Sequence, residues 1–149
     1  MHKALTERGP NADRAIIAPN APAPVGPYPH ARRVGNLLFL SGIGPRAPGS
    51  QGIPGVLWGE DGKVVDYDIE AQCRATFANV RTVLEAAGSS WERLVDVTVF
   101  LTDMERDFDR YNRVYAEYFP DNRPCRTTVE VNRLPTPIAI ELKCIATVD

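Results

Sequence analysis

Two ionisable residues near the C-terminal end of the chain stand where strands are expected. Arg126 opens the run Arg-Thr-Thr-Val-Glu-Val, residues 126–131. Glu141 lies between Ile140 and Leu142 in a second alternating run, and Leu134-Pro135-Thr136-Pro137 joins the two. A charge set among apolar strand residues is costly unless a partner offsets it. A guanidinium keeps its charge at any working pH, and its planar fork grips both oxygens of a carboxylate. A carboxylate withdrawn from water has a raised pKa, which suits a general base that activates water. Arg126 and Glu141 together read as the first hint of a site, a pair around which the rest of the chain builds a pocket. The plain alternative for Glu141 is an edge ion pair with Lys143 or Arg133.

Further candidates lie upstream. From Pro19 to Pro29 the chain reads Pro-Asn-Ala-Pro-Ala-Pro-Val-Gly-Pro-Tyr-Pro. Such proline density excludes helix and ladder strand and gives a stiff, extended segment that holds Tyr28 in place. Ser41-Gly42 puts a hydroxyl and an unhindered backbone at the end of an apolar run, and glycine there permits close approach. Asn112 lies one helical turn from both Phe108 and Tyr115, so its amide sits at the edge of an aromatic face and needs a partner. Thr128 shares a strand face with Arg126 and Glu130. Each has a packing alternative: Tyr28 under a loop, Ser41-Gly42 as a strand stop, Asn112 as a structural hydrogen bond.

The elements that must position these residues follow from periodicity. Arg14 to Ala18 forms a short first strand. Arg32 to Val34 and Leu37 to Ser41 flank Gly35-Asn36 as a hairpin, and the nearly continuous apolar run Leu-Leu-Phe-Leu predicts a strand covered on both faces. Residues 44–62 form a long glycine- and proline-rich loop with a minor strand around Val56, and Arg46 lies at its base. Ile69, Cys73, Phe77, Val80, Leu84 and Ala87 make one helical stripe, with Asp68 capping the start and Gly88 the end. In the strand Leu94 to Leu101, Val95, Val97, Val99 and Leu101 face one way. Thr102-Asp-Met-Glu105 reads as a capping box for a second helix carrying Phe108, Tyr111, Val114, Tyr115, Tyr118 and Phe119. The order β-β-β-α-β-α-β-β predicts an α/β (α+β) fold, a mixed sheet with two helices packed on one face. An apolar second face would need another copy of the chain to cover it.

With 149 residues the chain is expected to form one domain, 1–149, with 1–13 as a frayed polar leader. Seventeen basic and nineteen acidic side chains give a net charge of −2, which argues against nucleic acid as a partner. No apolar run is long enough for a membrane span, and the first residues carry no signal-like apolar core. Cys73, Cys125 and Cys144 form no metal or disulfide pattern, which fits a cytoplasmic protein with reduced thiols. His2 and His30 have no second ligand nearby. No metal or cofactor is expected.

The segments Gly26-Pro27-Tyr28, Leu40-Ser41-Gly42, Leu84-Glu85-Ala86-Ala87-Gly88, Val97 to Leu101, Tyr111-Asn112, Pro124-Cys125-Arg126-Thr127-Thr128-Val129-Glu130-Val131, Leu134-Pro135 and Ile140-Glu141 recur in this order. They resemble the reactive intermediate deaminase family, also called the YjgF/YER057c/UK114 family, from about Ala15 to Val148. The resemblance implies a chorismate-mutase-like fold and a homotrimer with ligand clefts between subunits. It implies hydrolysis of enamines or imines to carbonyl compounds and ammonia. Arg126 would hold the substrate carboxylate and Glu141 would position or activate water, while Tyr28, Ser41, Gly42, Asn112 and Thr128 line the cleft. Many members carry cysteine where this chain has Thr128, so thiol-dependent behaviour should be absent.

Within the family the chain looks most like the 2-aminomuconate deaminases of bacterial aromatic-ring degradation, which release ammonia and leave 4-oxalocrotonate. The long N-terminal segment, the loop with Trp58 and the Thr127-Thr128 pair carry that likeness. A dicarboxylate substrate needs a second cation, for which Arg32, Arg33, Arg46 and His30 are the candidates. The rival readings are a broad enamine/imine deaminase and a non-catalytic binder of small ligands.

Overall fold

The computed structural model describes residues 13–149. The expected leader, apart from Asp13, lies outside them. Eight strands and two helices follow in chain order: β1 (Arg14–Ile16), β2 (Ala31–Val34), β3 (Leu37–Leu40), β4 (Val56–Trp58), β5 (Val64–Tyr67), α1 (Ile69–Ala86), β6 (Leu94–Leu101), α2 (Met104–Tyr118), β7 (Cys125–Glu130) and β8 (Ile140–Thr147). Six strands form one mixed sheet in the order β1-β2-β3-β8-β6-β7, and β4 and β5 form a separate two-stranded ribbon. The expected mixed sheet with two helices on one face is what is observed. β7 and β8 are not neighbours. β6 lies between them, parallel to β7 and antiparallel to β8.

The helix boundaries have local causes. The Asp68 side chain accepts from the Glu70 N–H at the start of α1. At its end Gly88 adopts φ +80°. The Gly88 N–H then donates to the Glu85 carbonyl and the Ser89 N–H to the Leu84 carbonyl, the paired closure that a left-handed glycine permits. The expected capping box of α2 is shifted. Asp103, not Thr102, is the cap, accepting from the Arg106 N–H at 3.0 Å. The third helical residue is therefore Arg106, which cannot reciprocate as Glu105 was expected to. Glu130 on β7 supplies the missing acceptor, taking the Met104 N–H at 2.9 Å.

The core lies between the sheet and the helices. Leu38, Leu40, Val97, Val99, Leu101, Ile140, Leu142 and Cys144 point from the sheet into it, and Phe77, Val80, Val83, Leu84, Tyr111 and Val114 meet them from the helices. An aromatic cluster closes one end, with Trp91 stacked on Phe119 at 4.7 Å and Phe77 against Tyr118 at 4.8 Å. Such contacts add about 0.5–1.5 kcal/mol per pair beyond burial. The Cys73 and Cys144 thiols are buried and pushed up to about 12, so both are packing residues, as the stripe predicted for Cys73.

Other expectations changed. Val95 does not share the face of Val97. A bulge between Leu94 and Asp96 turns Leu94 inward and leaves Val95 exposed. β5 was not foreseen, because Val64–Tyr67 is too short and too mixed to read as a strand without β4 beside it. Arg106 clamps that ribbon to α2, bonding Asp66 at 2.6 Å and the Tyr67 carbonyl at 2.8 Å, and Tyr67 donates to the buried Asp107 at 2.6 Å. β3 is covered on one face only. Leu38 and Leu40 are buried, but Leu37 is exposed and Phe39 half-buried. With Val34, Phe100, Ile145 and Val129 they are the apolar residues of a sheet face that no helix covers, which also carries Arg32, Asp96, Glu141 and Lys143.

Candidate active site

Arg126 and Glu141 stand on opposite faces of the sheet. Arg126 pairs with Val97, and Val97 pairs with Cys144, so these three share the helix-facing side. Glu141 is an odd step from Cys144 along β8 and pairs with Phe100 on the uncovered side. Within one chain the two residues therefore do not share a pocket.

Each residue instead organises its own surroundings. Arg126 lies at the exposed edge of β7, with its guanidinium over the Tyr115 ring at 4.7 Å and the Tyr111 ring at 5.5 Å. It donates to the Asn112 side-chain oxygen at 2.7 Å. The polar amide on the aromatic face thus finds its partner in Arg126, which supports the structural reading of Asn112 and also aims the guanidinium. Thr128 lies two residues along the same face, its hydroxyl 3.1 Å from that of Tyr111. The Tyr115 hydroxyl is buried without a hydrogen-bond partner. Arg126 makes no ion pair with a carboxylate among the described residues.

Glu141 faces a cleft of about 340 Å³ lined by Val25, Tyr28, Gly42, Gly44, Arg46 and the loop that carries Pro135, Thr136 and Ile138. Burial pushes the Glu141 carboxyl above its usual range. No ion pair with Lys143 or Arg133 forms; Lys143 donates to the Leu40 carbonyl instead. Gly42 is required by close approach. A Cβ there would lie 2.7 Å from a Glu141 carboxylate oxygen, so the unhindered backbone accommodates the carboxylate itself. The Ser41 hydroxyl donates to the Pro29 carbonyl at 2.7 Å, which ties the proline-rich segment to the end of β3. Tyr28 is held by the Val25 N–H, donating to its hydroxyl at 3.2 Å. Tyr28, Ser41, Gly42 and Glu141 are thus brought together, and Arg126, Asn112 and Thr128 form a second group.

The four cations considered for a second carboxylate separate clearly. His30 is buried and accepts the Ala18 N–H at Nδ1 while its Nε2 faces the Pro22 carbonyl at 2.8 Å. It is a structural bridge between these two backbone groups. Arg33 is buried and donates to the carbonyls of Gly35 and Asp149. Arg32 pairs with Phe39 on the uncovered face, two strands away from Glu141. Arg46 lines the Glu141 cleft. A larger hollow, about 850 Å³, lies between β5 and residues 132–139 and is lined by no carboxylate. Among the described residues no group of His, Cys, Asp and Glu could hold a metal ion.

Comparison with known proteins places this arrangement. The endoribonuclease L-PSP family matches residues 18–148. A RutC family protein of Pyrococcus horikoshii is 43% identical over 131 residues, spanning 88% of this chain and 94% of the relative. The chain belongs to the YjgF/RidA superfamily. The superfamily relatives include the chloroplastic Reactive Intermediate Deaminase A of Arabidopsis thaliana, 38% identical over 132 residues, 89% of this chain and 64% of that protein. Among solved structures, Escherichia coli TdcF with bound serine superposes with a TM-score of 0.78 at 32% identity, covering 91% of this chain and 99% of that one. The YjgF gene product of E. coli gives 0.77 at 34% identity, covering 90% and 98%. No helix among the described residues is long and apolar enough to cross a membrane.

Proposed function

We propose that this protein is a cofactor-independent deaminase that hydrolyses carboxylated enamines or imines to carbonyl compounds and ammonia. The observation that carries the reading is the Glu141 carboxylate. It is half-buried, raised by that burial, and faces a cleft without an ion-pair partner. In the reaction an enamine gains a proton at carbon to become an iminium. Water adds to the iminium carbon as Glu141 takes its proton. That proton passes from Glu141 to nitrogen, the C–N bond breaks and ammonia leaves, and as the C=O bond forms Glu141 takes the hydroxyl proton, which replaces the one consumed at the enamine carbon. A general base in this position contributes about a hundredfold or more. Superfamily membership supports the reaction class, and the imine carbon is electrophilic without a metal.

Arg126 is assigned the substrate carboxylate. Because it lies across the sheet from Glu141, the full site needs the Arg126 of one copy against the Glu141 cleft of another. The uncovered apolar face of Phe39, Phe100 and Ile145 supplies the surface through which copies would associate. We assign a chorismate-mutase-like homotrimer with three shared clefts, each protomer a single domain. The finer substrate reading is 2-aminomuconate, converted to 4-oxalocrotonate. A net charge of −2 does not favour a nucleic-acid substrate.

The test is ammonia release from freshly generated 2-aminoacrylate and 2-aminomuconate, with loss of the dienamine absorbance followed for the second. Turnover of both supports the general reading, and a strong preference for 2-aminomuconate supports the finer one. Carboxylate binding without ammonia from either would make the protein a ligand binder.

A further inference from the structure

The Glu141 cleft contains a second charge that the deamination chemistry does not use. Arg46 follows β3 at the base of the long loop, and two contacts fix it. The Asn79 amide, buried on α1, donates to the carbonyls of Gly44 and Arg46, both at 2.9 Å. The Arg46 guanidinium donates through one nitrogen to the Ala23 carbonyl at 2.7 Å. Its head is therefore held in position while keeping further N–H groups for a ligand. Arg46 and Glu141 line the same cleft, yet no ion pair joins them, and Arg46 meets no other carboxylate among the described residues. Opposite charges that share a cleft without meeting leave room for a ligand between them. The other cations are committed elsewhere or point away: His30 and Arg33 to backbone carbonyls, Lys143 to Leu40, Arg32 to the far strands.

We infer that Arg46 is a specificity-determining residue that binds the second carboxylate of a dicarboxylic substrate. This rests on the carboxylated-enamine reading of the same site. The carboxylate beside the reacting carbon goes to Arg126, the C=N carbon to Glu141, and the distal carboxylate to Arg46. The substrate class is then an extended, conjugated dicarboxylate and not a short amino-acid-derived imine.

The assigned role is tested by binding, without turnover. Full-length protein is titrated calorimetrically with trans,trans-hexa-2,4-dienedioate and with hexa-2,4-dienoate, which differ by one carboxylate. The wild type is expected to bind the diacid at least about tenfold more tightly, the scale of one charge-assisted guanidinium pair. In Arg46→Met that preference should fall to within about twofold, with monoacid affinity unchanged, and Arg46→Lys should keep part of it. The unchanged monoacid affinity also serves as the control for folding. Equal binding of both acids by the wild type, or a preference that survives in Arg46→Met, would overturn the assignment. Ammonia release is read separately. A diacid preference lost in Arg46→Met without any ammonia release supports the Arg46 site and removes the deaminase. Ammonia release without a diacid preference does the reverse.

Discussion

The Glu141 cleft and the Arg126 edge are built from the same sheet, yet they differ in how their charges are treated. Glu141 is withdrawn from water, raised in pKa and left unpaired. Arg126 is exposed, stacked on two tyrosines and hydrogen-bonded to Asn112. The difference follows from chemistry. A base must be desolvated to titrate near neutrality, whereas a guanidinium does its work charged and needs only to be aimed. Burying an unpaired carboxylate such as Glu141 costs stability; stacking Arg126 costs little. Under the proposed reaction the two regions would complement each other across two copies, Arg126 of one holding the reacting carboxylate at the Glu141 cleft of the other.

The strongest way to break that comparison is Arg126→Ala. It should lower kcat/KM about a thousandfold, on the order of 4 kcal/mol, in steady-state ammonia release, with the fold intact because the side chain is exposed. Full activity would remove the Arg126 edge from the site. Glu141→Gln should slow turnover by about two to three orders of magnitude while diacid binding, read by calorimetry, persists. Unchanged turnover would place water activation elsewhere.

The division between copies can be tested directly by co-expressing Arg126→Ala and Glu141→Gln chains. If each site takes its glutamate from one copy and its arginine from the next, random mixing restores about one quarter of the sites. Recovery is measured against the separately purified variants, and none would mean that a site does not span two copies.

Gly42→Ala is a smaller perturbation. Its Cβ would enter the space of the Glu141 carboxylate, at 2.7 Å, the movable end of a side chain. Turnover should fall about tenfold or more with little change in Tm. A large loss of Tm with normal specific activity would mean that Gly42 serves the fold and not the base.

The smallest effect concerns pH. Because the folded-state pKa of Glu141 is raised, its protonated form is favoured by the fold. Its contribution to stability is full below the unfolded carboxyl value and declines as pH rises through the raised folded one. Glu141→Gln should therefore raise Tm at neutral pH by about one to three degrees and make no difference at acid pH. For activity the sign is opposite. The acid limb of kcat/KM should lie above the usual carboxylate range and disappear in the variant.

Much of the fold was legible in the chain because its signals are local. The stripe from Ile69 to Ala87 and the pair Asp68 and Gly88 define α1 within a few residues. Gly35 turns the first hairpin, and the aromatic face of α2 emerges as expected. Local signals failed where a distant partner decides. Val95 was turned outward by a bulge against β8, β5 pairs only with β4, and the Met104 N–H at the start of α2 finds its acceptor in Glu130 of β7. The Tyr111 and Tyr115 platform under Arg126 was present in the pattern as an aromatic face, but nothing in spacing linked it to a residue of another element.

The sequence by itself determined which residues carry charge into strands, and the family to which that pattern belongs. Only the tertiary structure decided which side of the sheet each charge takes. Alternation fixes a side chain's face relative to its own strand; its face relative to another strand depends on register through whatever lies between. Here β6 lies between, aligning Arg126 with Cys144 and leaving Glu141 an odd step away. The same inserted strand that completes the core sends Glu141 and Arg126 to opposite faces.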